Sequence, residues 1–189
     1  YSRDGTALEQ ETSDVKWTLI IDPMGEGGDA LEPAIVDAII YIDPATGEMI
    51  PGKEDNVLAL KDLVKFTITD RNDENAPNYV LPRFSITLTG LPEGAVVEGM
   101  IRDGDVWTAS YQGGQDKLDE LVSTISIKLP KDWNSNNHSG DDAFRFDATI
   151  TSYTPGGEMD VKTASGVEPY IEPVTDKAEM TIAVTTVNE

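Results

Sequence analysis

Apolar residues along the chain recur at every second position far more often than at helical spacing. Val15, Trp17, Leu19 and Ile21 share one face of Val15–Asp22. In Lys61–Thr69 the set is Val64, Phe66 and Ile68, with Leu63 just before them. In Arg83–Thr89 it is Phe84, Ile86 and Leu88, and in Ser123–Leu129 it is Ile125, Ile127 and Leu129. Phe144–Tyr153 carries Phe144, Phe146, Ala148 and Ile150, and Ala178–Val187 carries Ala178, Met180, Ile182 and Val184. Successive side chains of a strand point to opposite faces, so each segment reads as a half-buried strand. Ile35–Ile42 and Ala95–Ile101 are two further apolar segments and predict strands with both faces partly covered. Helical spacing occurs only in Gln115–Val122, with Leu118, Leu121 and Val122 inward. Turn residues separate these elements, as in Pro44-Ala45-Thr46-Gly47, Pro92-Glu93-Gly94 and Asp103-Gly104-Asp105. Thr154–Lys177 alternates weakly and predicts a long excursion before the last strand, of a length that tends to be functional. The pattern predicts an all-β protein, an antiparallel β-sandwich with one short helix and long acidic loops.

Charge then narrows the possible partners. Fourteen Lys and Arg stand against 35 Asp and Glu, a formal net charge of −21 in 189 residues. Phosphate recognition needs clustered cations, which speaks against nucleic acid and against an anionic membrane surface. The longest apolar stretch, Ala34–Ile42, is broken by Asp37 and falls short of the ~20 residues that span a bilayer. The absence of Cys excludes thiol catalysis, disulfides and thiolate metal sites. His138 is the single histidine, which removes poly-His zinc sites and leaves little room for a Ser-His-Asp triad. No phosphate loop, dinucleotide fingerprint or nucleophile elbow is present, and no pair among the many carboxylates stands out as a glycosidase pair. The chain therefore predicts no enzyme.

The acids concentrate between strands. Asp70, Asn72, Asp73 and Asn75 follow one predicted strand, and Asp103 and Asp105 flank a glycine. Lys131–Asp142 carries Asp132, Asn134, Asn136, Asn137, Asp141 and Asp142. Oxygen donors grouped at loop tips suit Ca2+, which takes about six to eight of them, better than Mg2+. The 70–75 run is no EF-hand, since Asn75 stands where that loop needs Gly and Leu81 where it needs Glu. Each cluster alone reads equally as a solvated turn. Together, at this net charge, they predict a chain stabilised by Ca2+.

Two stretches carry a family resemblance. Ile86-Thr87-Leu88-Thr89-Gly90-Leu91-Pro92-Glu93-Gly94-Ala95, followed by Asp103-Gly104-Asp105-Val106-Trp107-Thr108, resembles the Ig-like and cadherin-like modules of giant bacterial RTX adhesins. The Leu118–Leu121 helix, Ile127–Pro130, the acidic loop and Phe144–Ile150 follow in the same order, so the likeness covers roughly residues 80–153 and the closing strand. Asp70-Arg71-Asn72-Asp73-Glu74-Asn75-Ala76-Pro77 is similar to the cadherin calcium motif with one inserted residue. The resemblance implies that residues 1–189 are a single enlarged domain, a mature segment excised from a longer adhesin that is secreted to the cell surface. Size and layout resemble the peptide-binding modules of such adhesins. Those modules capture a partner protein's C-terminus with bound Ca2+ and serve cell adhesion and biofilm formation.

The expected metal ligands are thus Asp70, Asn72, Asp73, Asn75, Asp103, Asp105, Asp132, Asn134, Asn136, Asp141 and Asp142. Trp133, Asn137 and His138 are the expected ligand contacts in the acidic loop. Tyr111, Gln112, Gly113 and Gly114 are expected to form its opposite wall, with the glycines allowing close backbone approach. Expected partners are a peptide or protein C-terminus on a target cell and neighbouring adhesin domains, with the chain itself a monomer. A rigidified extender and a carbohydrate-binding module are the competing readings. β-Augmentation along an exposed edge strand is a further route to peptide capture.

Overall fold

The structure, a computed structural model, describes residues 30–175. The predicted strands at Val15–Asp22, with Trp17, and at Ala178–Val187 lie outside the described residues. Twelve strands and one helix follow in chain order: β1 Ile35–Ile40, β2 Gly52–Lys53, β3 Val57–Ala59, β4 Val64–Thr69, β5 Arg83–Thr89, β6 Val96–Glu98, β7 Ile101–Asp103, β8 Val106–Gln112, α1 Gln115–Thr124, β9 Ser126–Lys128, β10 Phe146–Tyr153, β11 Met159–Val167 and β12 Ile171–Glu172. The described chain is therefore all-β with one short helix.

The largest sheet runs β11-β10-β5-β8-β7, antiparallel throughout. Its centre is β5, where Phe84, Ile86 and Leu88 are fully buried, as their alternation requires. Smaller sheets pair β1 with β4, and β9 with both β3 and β6, all antiparallel. β12 pairs with β2 in parallel. One hydrophobic cluster joins their inner faces, from Val36 and Phe66 through Phe84 and Ile150 to Ile127 and Ile171. Leu118 and Val122 bring α1 into the same cluster. No helix among the described residues is long and apolar enough to cross a membrane.

Several expected elements change form. β1 is covered on one face only, because Ile35 and Ile39 stay exposed while Val36 and Ala38 are buried. The expected strand Ala95–Ile101 is two strands, β6 and β7, broken by Gly99 at φ +82°. The first part of Ser123–Leu129 completes α1, and the strand there is only β9. The described part of Thr154–Lys177, to residue 175, is no irregular excursion but holds β11, the longest of the described strands, at the edge of the described sheet. Only Ala164 and Val167 of it are buried, and Asp160 and Lys162 stand opposite buried positions of β10, so it shows little apolar alternation.

Gly99 is fixed by both its backbone and its surroundings. A Cβ there would lie 2.8 Å from the Thr124 carbonyl oxygen, and left-handed φ is strained for any residue but glycine. Gly99→Ala is expected to cost about 2–3 kcal/mol in urea unfolding. A loss below about 0.5 kcal/mol would contradict the packing of this turn against α1.

The edges of the β1–β4 ribbon are partly covered by side chains, a common defence against unwanted pairing. Asp160 of β11 accepts the Val36 N–H at 2.9 Å, and Asp37 accepts the Ala38 N–H at 2.9 Å. The buried Ser152 hydroxyl of β10 donates to the Ala34 carbonyl. On the β4 edge, the Gln115 carboxamide accepts the Ile68 N–H at 2.9 Å and donates to the Phe66 carbonyl at 3.2 Å.

Candidate functional site

The register of the five-stranded sheet divides the candidate residues between its two ends. Arg83 faces Tyr153 on one side and Gln112 on the other, so the chain around 70–82, 112–114 and 154–158 lies at that end. Thr89 faces Asp147, and Leu88 faces Trp107, so the 103–105 hairpin and the loop feeding β10 lie at the opposite end. Tyr111, Gln112, Gly113 and Gly114 therefore do not form the opposite wall of the 131–142 loop. The length of β5 separates them. Tyr111 and Gln112 are strand residues of β8, and Gly113 donates its N–H to the Pro82 carbonyl at 2.9 Å.

At the Arg83 end, the 70–75 loop turns its donors on itself and on the start of β1. Asp70 accepts the Asn72 N–H at 3.0 Å with one oxygen and the Tyr79 hydroxyl at 2.8 Å with the other. That bond to a carboxylate holds the Tyr79 hydroxyl above its ordinary pKa. Asn72 accepts the Glu32 N–H at 2.9 Å and donates to the Glu32 carbonyl at 2.8 Å, as one strand does to another. Arg71 pairs with the Glu32 carboxylate at 3.3 Å. Asp73 accepts both the backbone and the side-chain N–H of Asn75, which holds its carboxyl below the ordinary value. The loop is a clamp on residues 32–33, and it is the more rigid for it.

The 131–142 loop is organised by Asn134, which is buried. Its carbonyl oxygen accepts the N–H groups of Asn136 at 3.0 Å and Asn137 at 3.1 Å. Its amide nitrogen donates to the Glu54 carboxylate at 3.0 Å. Glu54, also buried, accepts the Val174 N–H on its other oxygen at 2.7 Å. Asp55 accepts the Asp132 N–H at 3.1 Å, and both residues have left-handed backbone, which aspartate tolerates. Ser135 brackets Ile171 with two hydrogen bonds, and Tyr170 donates to Asn136 at 3.0 Å. The loop is thus sewn to the β2–β3 turn and to β12. The oxygens of Asn134 and Asn136 already serve this stitching.

What remains free faces a pocket of about 370 Å³ lined by Gly90, Pro92, Glu93, Trp133, His138, Asp141, Asp142 and Ala143. The His138 ring stacks on Trp133 with centroids 3.6 Å apart and planes 4° apart. Asp141 and Asp142 sit on a single helical turn, Gly140–Asp142. No described residue donates a hydrogen bond to their carboxylates or to that of Glu93. Asp103 and Asp105 lie on the β7–β8 hairpin at the same end of the sheet. Glu93 was not singled out from the sequence, where it is one acid in a turn. Glu54 likewise gives no local signal, since only the fold brings it under the loop.

The donor set at this end is hard oxygen, the chemistry Ca2+ requires. Among the described residues, no three Asp, Glu or His converge closely enough to hold an ion by themselves. Asp141 and Asp142 would supply part of a coordination shell. Backbone carbonyls, water or a ligand carboxylate would complete it.

No protein-family model, curated protein or solved structure matches the chain.

Proposed function

We propose that the chain is a calcium-dependent ligand-binding module of a secreted bacterial surface adhesin, built as an enlarged Ig-like β-sandwich. On this reading it is a single domain that captures the peptide ends of partner-cell proteins and catalyses no reaction. The sequence likeness over residues 80–153 supports the class. The observation that carries the site is the pocket where unspent carboxylates of Glu93, Asp141 and Asp142 stand beside the stacked Trp133–His138 pair. Bound Ca2+ supplies the positive charge that lets so acidic a chain accept a carboxylate. Asp141 and Asp142 hold it, Trp133 offers apolar surface to the neighbouring ligand side chain, and Asn134 keeps the loop in shape.

The aromatic pair beside acids also suits a sugar, so a carbohydrate-binding module is the second reading. Binding of the full chain to arrays of peptides with free C-termini, amidated copies of them, and glycans separates the two. Signal is expected on free C-termini in Ca2+, falling at least about tenfold on amidation, on chelation, and in the Asp141→Asn/Asp142→Asn variant. Signal on glycans alone would replace the peptide reading. Silence on both arrays would leave an extender whose Ca2+ only rigidifies the chain.

A further inference from the structure

The edge of β4 that faces α1 opens into a groove of about 750 Å³. One wall is the β4 backbone. The other is a single face of α1, with Gln115, Asp119 and Val122, and Tyr41, Lys61 and Lys65 line the groove as well. N–H and C=O of one strand residue point the same way, and successive residues alternate. The bonds to Gln115 therefore show that Phe66 and Ile68 aim their backbone groups into the groove. The Phe66 N–H and the Ile68 carbonyl point there too, and no described residue pairs with them.

Gln115 reveals what the groove accepts. A carboxamide is chemically a peptide group, and this one makes the two bonds that a neighbouring strand would make. A trough between an edge strand and a helix is also the setting in which extended peptides are recognised by strand addition. Charge selects among such peptides. Lys61 and Lys65 oppose Asp119 alone, a positive balance on a chain of −21.

The geometry points to the β4–α1 groove as a strand-addition site for an extended, acidic peptide, with Gln115 holding the edge until the peptide displaces it. This site is separate from the loop pocket and needs no calcium, so its test is run in chelator and does not depend on the function proposed above.

The experiment titrates the full 15N-labelled chain with a synthetic peptide of alternating valine and threonine ended by aspartates. A lysine-ended copy and a copy N-methylated at every second amide are run beside it. Resonances of Val64–Thr69 and the Gln115 side-chain amide are expected to move together. The aspartate-ended peptide is expected to bind at least about tenfold tighter than the lysine-ended one, a preference that Lys61→Glu/Lys65→Glu reverses. Gln115→Ala is expected to tighten binding about tenfold, the worth of the two bonds it no longer contests. N-methylation is expected to abolish binding. Unmoved β4 resonances would overturn the proposal. So would a Phe66 N–H already protected from exchange in the free chain, since the chain's own residues outside 30–175 or a second copy would then cover the edge.

Discussion

Glu54→Ala is expected to destabilise the protein by about 3 kcal/mol, the largest single loss outside the apolar core. The carboxylate is buried and accepts two hydrogen bonds, from the Asn134 side chain and the Val174 backbone. Hydrogen bonds to a charged group are worth about 1.5–3 kcal/mol, and each buried donor left without an acceptor costs about 1–3 kcal/mol more if water cannot reach it. Asn134→Ala is expected to cost a similar amount, because two loop N–H groups lose their acceptor and Glu54 keeps only one donor. The two losses should not add, since both break one network. Glu54→Gln keeps the shape but turns one acceptor into a donor facing a donor, so its loss is expected to be nearly as great. Urea unfolding of the two single variants and the double variant measures all of this. A loss under about 1 kcal/mol for Glu54→Ala would mean that the stitch does not hold the loop.

Calcium is expected to raise the melting temperature by about 10–20 °C relative to chelator. Folded-state binding at a hundredfold excess over Kd contributes about 2.7 kcal/mol per site. One kcal/mol moves the melting point of a chain this size by about 2–4 °C. The 131–142 loop, through Asp141 and Asp142, and the Asp103–Asp105 hairpin each offer carboxylates that accept no hydrogen bond from a described residue, so two contributions are expected. Asp141→Asn/Asp142→Asn should remove one share and leave the other. Sodium chloride matched in ionic strength should give a much smaller rise, which separates site binding from the screening of a −21 chain. Identical curves in calcium and in chelator would remove the metal from the proposed function.

The apolar pattern made the central strands legible. Arg83–Thr89 is β5 end to end, and Phe146–Tyr153 lies inside its expected segment, because each has a fully buried face against a wetter one. α1 was legible from Leu118 and Val122, and it runs to Thr124, beyond the last apolar position. β11 was hidden because an edge strand needs little apolar area, and Ala164 and Val167 bury enough of it. The loop's chemistry was half legible. Asn and Asp at a loop tip can bind an ion or bind the loop to itself, and the composition is the same for both. Asn134 does the second because Glu54, 80 residues away, meets its amide. Only the fold distinguishes Asn134 from Asp141 and Asp142, whose carboxylates stay unspent. The reach from Tyr111 to the acidic loop failed for a simpler reason. Sequence neighbours of the two ends of one strand are indistinguishable until the register is known.

The short parallel pair of β2 and β12 has a mechanical meaning. The described chain enters at the Arg83 end, clamped through Glu32, and leaves past Val174 at the other, held to Glu54. Pulled along that axis, β12 is drawn forward by its C-terminal side while β2 is restrained through its N-terminal side. The bonds Gly52 N–H to the Tyr170 carbonyl and Glu54 N–H to the Glu172 carbonyl then lie across the direction of sliding. Tension reaches them together, in shear, and does not peel them one after another.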